Sequence, residues 1–535
     1  MNPEPSLFKD RYFWSALLLG GFFLSLTLWF KFTMDQAVFH YVAWVWQKYH
    51  LPPYIGAWDH SFPGIFLIHR LVLAVLGKST FAFRFFDFLV QLGSLAMVFW
   101  LSRRLAQSSI AGFISGVCYG IYYFSLGPLE SGEREGFVLF LLLAALLASF
   151  YWQERSWLRA ILAGLLAGFV FQLKPTYGLA WPVFALWFLG EGWRKRPRMV
   201  WGELGLFSLS CLLPSLVIIF YYGRLGYLSE LYLVTLYFNF KVYSGTSYSF
   251  FKAPWSLALT LANSIFMRQP VILFFGALGI LFPVANRKPG LQSTVFWLVL
   301  SLAAVSFLSY LIQSKYFPYH LIPFFGAMSI ISGHGIVWLG KRLEEPPAFA
   351  KGRVFSRIFY SGLILFMVLN LGPGMIDSAV AFSFRSPTKA YLAGDSYDAF
   401  YYRAAKQLRP VLGNAQMEYF GWHPLLPYLL GKKLPSRFCV VHHLLMRSKS
   451  GSITPLQRQW IEEYTDAVIS AHPQFFLLSD RVPGWDVFNL PTPSLKQALH
   501  DYFPRLEKFL LANYTLQFRL GEIEVYELNS ETSGP

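Results

Sequence analysis

Asp35, Asp59 and His60 are the side chains in this sequence best placed to do chemistry. Asp35 stands just past the first hydrophobic span, Phe13 to Phe30, in the stretch Met34-Asp35-Gln36-Ala37-Val38-Phe39-His40-Tyr41. A second carboxylate follows in Asp59-His60-Ser61-Phe62-Pro63-Gly64. An ionised carboxylate at a membrane face is costly unless it is hydrated, paired or used. Two acids in the first outer loop of a many-spanning chain point to chemistry at the membrane–water boundary. Asp35 also has a structural reading, because Asp is a good N-cap for a helix running from Gln36 to Tyr49. Asp59 and His60 could hold a divalent metal. Two ligands with no third at fixed spacing make a poor metal motif, so no obligatory metal is expected.

Further charged groups gather in three later connections between apolar runs. Glu130, Glu133 and Glu135 surround Arg134. Lys174 lies in Phe171-Gln172-Leu173-Lys174-Pro175-Thr176, and Lys315 and His320 lie in Lys315-Tyr316-Phe317-Pro318-Tyr319-His320-Leu321-Ile322-Pro323. A lone Lys at a span end can simply snorkel toward headgroups, and the acidic cluster can be a solvated face. Arg84 and Asp87, three residues apart on one helix face, read as an internal ion pair.

The elements that must position these groups are membrane helices. Of 535 residues, 55% are hydrophobic and only 14% charged, against roughly 25% in soluble chains. Phe, Tyr and Trp make up 19%, as aromatic belts require. Apolar runs place spans near 13–30, 81–101, 110–126, 137–152, 158–173, 176–191, 200–222, 270–286, 292–313, 321–339 and 357–371, about eleven helices. The first has no small-residue cleavage site after it and reads as a retained helix. The net charge of +16 does not point to nucleic acid. Arg103-Arg104, Arg155 with Arg159, Arg194 to Arg198, Arg287-Lys288 and Lys341 to Arg357 fall on alternate connections, all on the side of the N-terminus, which is therefore expected to be cytoplasmic. The groups named above fall on the opposite side. Three cysteines, Cys118, Cys211 and Cys439, offer neither a disulfide framework nor metal spacing.

Asp35 to His50 carries Val38, Tyr41, Val42 and Val45 at helical spacing and reads as an interfacial helix ended by Pro52-Pro53. Phe62 to Leu76 carries His69 and Arg70 mid-run and reads as a second juxtamembrane helix. A further span there would invert every later loop. The expected division is a membrane domain over 1–374, including juxtamembrane helices within 35–77, and a soluble α/β domain over 375–535 on the outer face. In the latter, Phe438 to Val441, Phe475 to Leu478 and Glu522 to Leu528 read as strands and Leu456 to Ala471 as a helix.

The order of these outer-face motifs resembles the dolichyl-phosphate-mannose protein mannosyltransferase superfamily. Its bacterial branch is most similar, with lipid A aminoarabinose transferases and galacturonosyl transferases of lipopolysaccharide cores. The resemblance covers roughly residues 10–340 in layout. It implies a GT-C fold with a sugar donor carried on a polyprenyl phosphate and an acceptor hydroxyl on lipid, glycan or protein. It also implies inversion, a hexosyl or pentosyl transfer, and a bacterial inner-membrane location with the C-terminal domain outside. The catalytic carboxylate of the family maps to Asp35, which would take the acceptor's proton as the new bond forms. The leaving polyprenyl phosphate needs cations, for which Lys174, Lys315, Arg134 and His320 are the candidates. Asp59, His60, Glu130 and Glu133 would shape the site or hold the acceptor. No cofactor is implied as obligatory. Two positions depart from the family: Gln36 stands where Glu is frequent, and Ser61 where a Lys precedes Pro-Pro.

Two other function classes remain open to the sequence. A transporter or flippase of lipid-linked glycans would place ionisable groups at mid-membrane, whereas these gather in outer loops. An accessory subunit with decayed motifs is compatible with Gln36 and Ser61.

Overall fold

The computed structural model describes residues 7–151, 155–195, 198–245, 269–281, 291–344, 397–482 and 488–529, together with Ile358, Ser361, Gly362, Leu365 and Trp485. In chain order the longer helices are α1 (Arg11–Leu26), α2 (Met34–Tyr49), α3 (Pro63–Val75), α4 (Thr80–Ala106), α5 (Ser109–Ser125), α6 (Arg134–Tyr151), α7 (Ser156–Leu173), α8 (Ala180–Lys195), α9 (Val200–Arg224), α10 (Pro270–Leu281), α11 (Leu291–Gln313), α12 (Ile322–Glu344), α13 (Tyr397–Leu412), α14 (Pro455–Ala471), α15 (Leu495–Tyr502) and α16 (Pro504–Asn513). Four strands complete the fold: β1 (Met417–Phe420), β2 (Phe475–Ser479), β3 (Tyr514–Leu520) and β4 (Ile523–Leu528).

The expected spans from 13–30 to 321–339 correspond to α1 and α4 to α12. The one expected at 357–371 lies almost wholly outside the described residues. Six described helical segments are long and apolar enough to cross a membrane: Arg11–Trp29, α4, α7, α9, Thr294–Gln313 and Pro318–Arg342. The fold is thus that of an integral membrane protein. The helices α5, α8 and α10 run 12 to 17 residues, short for a roughly 30 Å hydrocarbon core unless flanking turns contribute.

The chain forms two compact units whose segments alternate along the sequence. The first holds Met1–Phe30, Thr80–Ile218 and Ala258–Arg385; the second holds Lys31–Ser79, Ile219–Leu257 and Ser386–Pro535. Helices of the first unit approach closely where side chains are small. A Cβ on Gly120 of α5 would lie 2.5 Å from the carbonyl oxygen of Gly20 in α1, so the two backbones touch, as small residues permit in lipid. Arg159 of α7 donates to Glu191 of α8 and Glu203 of α9, each at 2.7 Å. A buried Arg needs such partners.

In the second unit, α2 and α3 follow the sequence expectation. At 13 residues α3 is too short to span and carries buried His69 on its core face. The sheet has the order β1-β2-β4-β3, with β1 and β2 parallel and the other pairs antiparallel. The expected strands at 475–478 and 522–528 are β2 and β4, and the expected helix is α14. The expected strand at Phe438 to Val441 is not one. Its residues are fully buried, but Val441 N–H makes a single bond to the Gly421 carbonyl, 2.9 Å, and no ladder forms. A short apolar run bounded by turns does not by periodicity distinguish a strand from buried irregular chain.

Candidate active site

In the first unit, three connections between helices bring together the charged groups that the sequence gathered in those loops. Lys174 ends α7: its N–H still bonds the Val170 carbonyl at 2.9 Å, but its own backbone is extended, φ −156° and ψ 106°. Pro175 forces this, since the residue before proline avoids the helical region. The lysine therefore leaves the helix sideways, and it is almost fully buried, at 8% exposure. Lys315 is buried too, between Ser314 and Tyr316, whose φ angles of 52° and 56° lie in the left-handed region. Non-glycine residues held there store strain and cluster at functional sites.

Glu135, in the first turn of α6, accepts a short hydrogen bond from the Lys174 ammonium. His320 Nε2 lies 3.7 Å from the same carboxylate oxygen. Glu130 Oε2 accepts from the Tyr319 N–H at 3.0 Å, and Tyr177 Oη donates to the His320 carbonyl at 3.1 Å. Thr176 and Ser309 hydroxyls are 2.7 Å apart. The connections at 130–135, 174–177 and 315–320 are thereby tied to one another. Glu133 and Arg134 are buried in the first of them. The second Glu135 oxygen and His320 Nδ1 are buried without a hydrogen-bond partner in the described residues.

The loop carrying Glu130 to Arg134 is held from below by Arg84. Its guanidinium donates to the carbonyls of Phe30 at 3.2 Å, Ser131 at 2.8 Å and Pro128 at 3.1 Å. Gly132 sits over it with φ +75°, and a Cβ there would come within 2.7 Å of Arg84 Nη1. Tyr123 Oη donates to Asp87 at 2.9 Å and accepts from the Gly132 N–H at 2.8 Å. Arg84 and Asp87 thus both anchor the loop, a use that an ion-pair reading of their spacing does not contain.

Burial governs the lysines' charge. It pushes the Lys174 ammonium down from the usual lysine value to about 8, with Glu135 offsetting part of the shift. It pushes Lys315 down to about 7. Removing an ammonium from water disfavours its charged form. Both groups are consequently poised to respond to an anion, which would restore the charge.

In the second unit, Asp35 is the second residue of α2 and half-buried. It is not the helix cap. Thr33 caps α2, and the Gln36 Oε1 accepts from Thr33 N–H at 3.0 Å and from its hydroxyl at 2.9 Å. This is a capping box, and it gives Gln36 a structural task. Asp59 is buried and its Oδ1 accepts from the Ser61 N–H at 2.8 Å, an Asx turn that leads into α3. Ser61 is itself held by the Tyr54 hydroxyl, which donates to its carbonyl at 2.6 Å. The other Asp59 oxygen is 3.6 Å from His60 Nδ1. Burial opposes ionisation of Asp59, but the His60 and His443 rings outweigh it and hold the carboxyl below the usual range. His443 supplies the third potential metal ligand that local spacing lacked.

Sequence reasoning gave no role to Tyr177, Tyr319 or His443, and weighed Glu135 only as one of an acidic cluster that shapes the site or is a solvated face. Glu135 was visible as an acid opening an apolar helix. The pair His442-His443 was visible inside the apolar run from Phe438 to Leu445. Nothing in the sequence linked either to its partners.

The family model described as dolichyl-phosphate-mannose-protein mannosyltransferase matches residues 59–218, which include Asp59, Glu130 to Glu135 and Lys174. No curated protein matches the chain by sequence. Among solved structures, ArnT from Cupriavidus metallidurans bound to undecaprenyl phosphate is similar at 14% identity and a TM-score of 0.57, covering 99% of this chain and 100% of that one. The Archaeoglobus fulgidus oligosaccharyltransferase in its apo form is similar at 11% identity and a TM-score of 0.53, covering 99% and 76%. ArnT from Cupriavidus metallidurans in the apo state gives 12% identity, a TM-score of 0.51 and coverage of 96% and 98%. In fold over nearly its whole length, and in sequence over residues 59–218, the chain resembles the GT-C dolichyl-phosphate-mannose protein mannosyltransferase superfamily.

Proposed function

We propose that the protein is a glycosyltransferase that moves a hexosyl or pentosyl group from a polyprenyl-phosphate donor to a hydroxyl of a lipid, glycan or protein acceptor, with inversion. The observation that carries this reading is the buried first-unit cluster of Lys174, Lys315 and Arg134 with His320 and Glu135. A phosphodiester that leaves as a phosphate monoester gains charge, and preorganised cations in a water-poor site stabilise that charge. The similarity to an ArnT structure holding undecaprenyl phosphate supports a polyprenyl carrier.

Asp35 acts as general base in this proposal. It lies in the first turn of α2, whose cap is Thr33, so capping is not its task. An acceptor hydroxyl approaching the anomeric carbon loses its proton to Asp35 while the glycosidic bond to phosphate breaks on the opposite face. The bond electrons pass to the phosphate oxygen, whose new charge needs cations. Glu130, Glu133, Asp59 and His60 shape the surroundings or hold the acceptor. The alternation of basic loops supports an N-terminus in the cytoplasm and C-terminal residues outside, and the resemblance supports a bacterial inner membrane. The division of labour is a membrane domain over 1–374 and an outer α/β domain over 375–535.

Removal of the protein from its host tests the reading. A single polyprenyl-phosphate-linked sugar should accumulate, and one envelope component should lose that sugar. Unchanged levels of every lipid-linked sugar would refute a transferase.

A further inference from the structure

We propose that Asp59, His60 and His443 form a site for one divalent transition-metal ion of the zinc class, which fastens the turn before α3 to the His442–Leu445 turn within the second unit. One ligand atom from each residue lies within 4.8 Å of the other two. Asp59 and His443 are buried, at 2% and 4% exposure, and His60 is largely so. The 3.6 Å separation of Asp59 Oδ2 from His60 Nδ1 is close to the edge, about 3.3 Å, of a tetrahedron with zinc–ligand bonds near 2.0 Å.

The state of the polar atoms points the same way. Asp59 Oδ1 is occupied by Ser61, which leaves Oδ2 facing His60. His60 Nδ1 and His443 Nδ1 are both buried without a hydrogen-bond partner. Next to them, His442 has both ring nitrogens buried and unpartnered, its ring centroid 4.1 Å from that of His443. Native interiors rarely leave such atoms unsatisfied, and each instance calls for an ion, a water or a ligand. A cation satisfies the lone pairs of the Asp and both rings at once.

The rings are already held in place. His60 lies 4.1 Å from the Tyr243 ring, and the His60 carbonyl accepts from Asn239 at 2.9 Å. His443 packs on Trp58 at 5.0 Å. Two imidazoles and one carboxylate suit zinc and its neighbours in the first transition row, not calcium or magnesium, which take oxygen ligands. The fourth position is left to water or to His442.

The role is structural. Asp59 and His60 immediately precede Ser61 and the start of α3, so a metal there sets where that helix begins. The inference does not depend on the transferase reading.

Untagged full-length protein in detergent, stripped with a chelator and dialysed against zinc, should retain about one equivalent of zinc per chain. With cobalt in place of zinc it should show the absorption of a four-coordinate ion. Zinc should raise its melting temperature, and the chelator should reverse the rise. His443→Gln and Asp59→Asn should weaken metal binding beyond the roughly 10–100-fold that losing an outer-sphere partner costs. The cobalt spectrum of the unmutated protein decides the matter even if a variant fails to fold. Uptake below about a tenth of an equivalent, a six-coordinate oxygen-ligated spectrum, or full retention by His443→Gln would overturn the site.

Discussion

If Lys315 meets the donor phosphate as proposed, donor recognition should depend on pH. Burial places its ammonium at about 7 in the folded protein, against 10.5 for an exposed lysine. Half of the free enzyme then carries the charge at pH 7, about 9% at pH 8 and about 1% at pH 9. If that ammonium meets the donor phosphate, kcat/KM for donor falls as pH rises, because this ratio reports ionisations of the free enzyme. A hydrogen bond to a charged group contributes about 1.5–3 kcal/mol, so the fall should level off at about 10- to 150-fold. Lys315→Arg keeps its charge throughout. In that variant the limb near 7 should vanish, leaving a limb near 8 from Lys174. Lys315→Met should sit at the floor at every pH.

Stability gives the control. A lysine whose folded value is lowered costs stability in full below about 7, where both states are protonated; between about 7 and 10.5 the unfolded chain binds the extra proton, so the cost disappears as pH rises. Lys315→Met removes the cost and should unfold no earlier than the unmodified protein at pH 6.5. The assay is sugar transfer from a synthetic polyprenyl-phosphate donor across pH 6 to 9.5 at matched protein. A flat profile in the unmodified protein, or the same slope in Lys315→Met, would refute the reasoning.

Three further outcomes are expected. Glu135→Gln removes the counter-charge of Lys174 and should shift the Lys174 limb to lower pH while weakening donor binding at pH 7, read as a rise in donor KM; an unchanged limb would separate the two residues. Arg84→Leu leaves the Ser131 and Pro128 carbonyls without their donor, costs about 1–3 kcal/mol, and should lower turnover by displacing Glu130 and Arg134; full turnover would show the loop holds its shape unaided. Lys195→Cys and Ser450→Cys should label with an impermeant reagent from opposite faces of the membrane, and labelling from one face would reverse half the topology.

The helices and the membrane class were legible because the apolar runs are long and the basic loops alternate. The helix α3 was legible from its apolar run, and its 13 residues agree with the expectation that it does not span. Phe438 to Val441 misled because apolar residues look alike in a strand and in buried irregular chain. Lys174, Lys315 and His320 were legible one at a time, through their motifs. The meeting of Lys174 and His320 at Glu135 was not, because only the packing of α6, α7 and the 315–320 turn creates it. Asp35 read as a cap from its position alone and as a base through the resemblance; Thr33 and Gln36 close the capping box, so the cap reading does not hold. The metal set was hidden for the same reason as Glu135: His443 lies far along the chain from Asp59 and His60.

The most direct test of the account is transfer from a polyprenyl-phosphate sugar by Asp35→Asn, measured in membranes at matched protein levels. The substitution keeps the side chain's shape and leaves the Thr33–Gln36 cap intact. It removes the charge and the basic oxygen. The account predicts normal insertion, an unchanged melting profile and a loss of transfer of about 10²–10⁴-fold, the usual worth of a general base. Transfer within about twofold of the unmodified protein would contradict it and remove Asp35 from the chemistry.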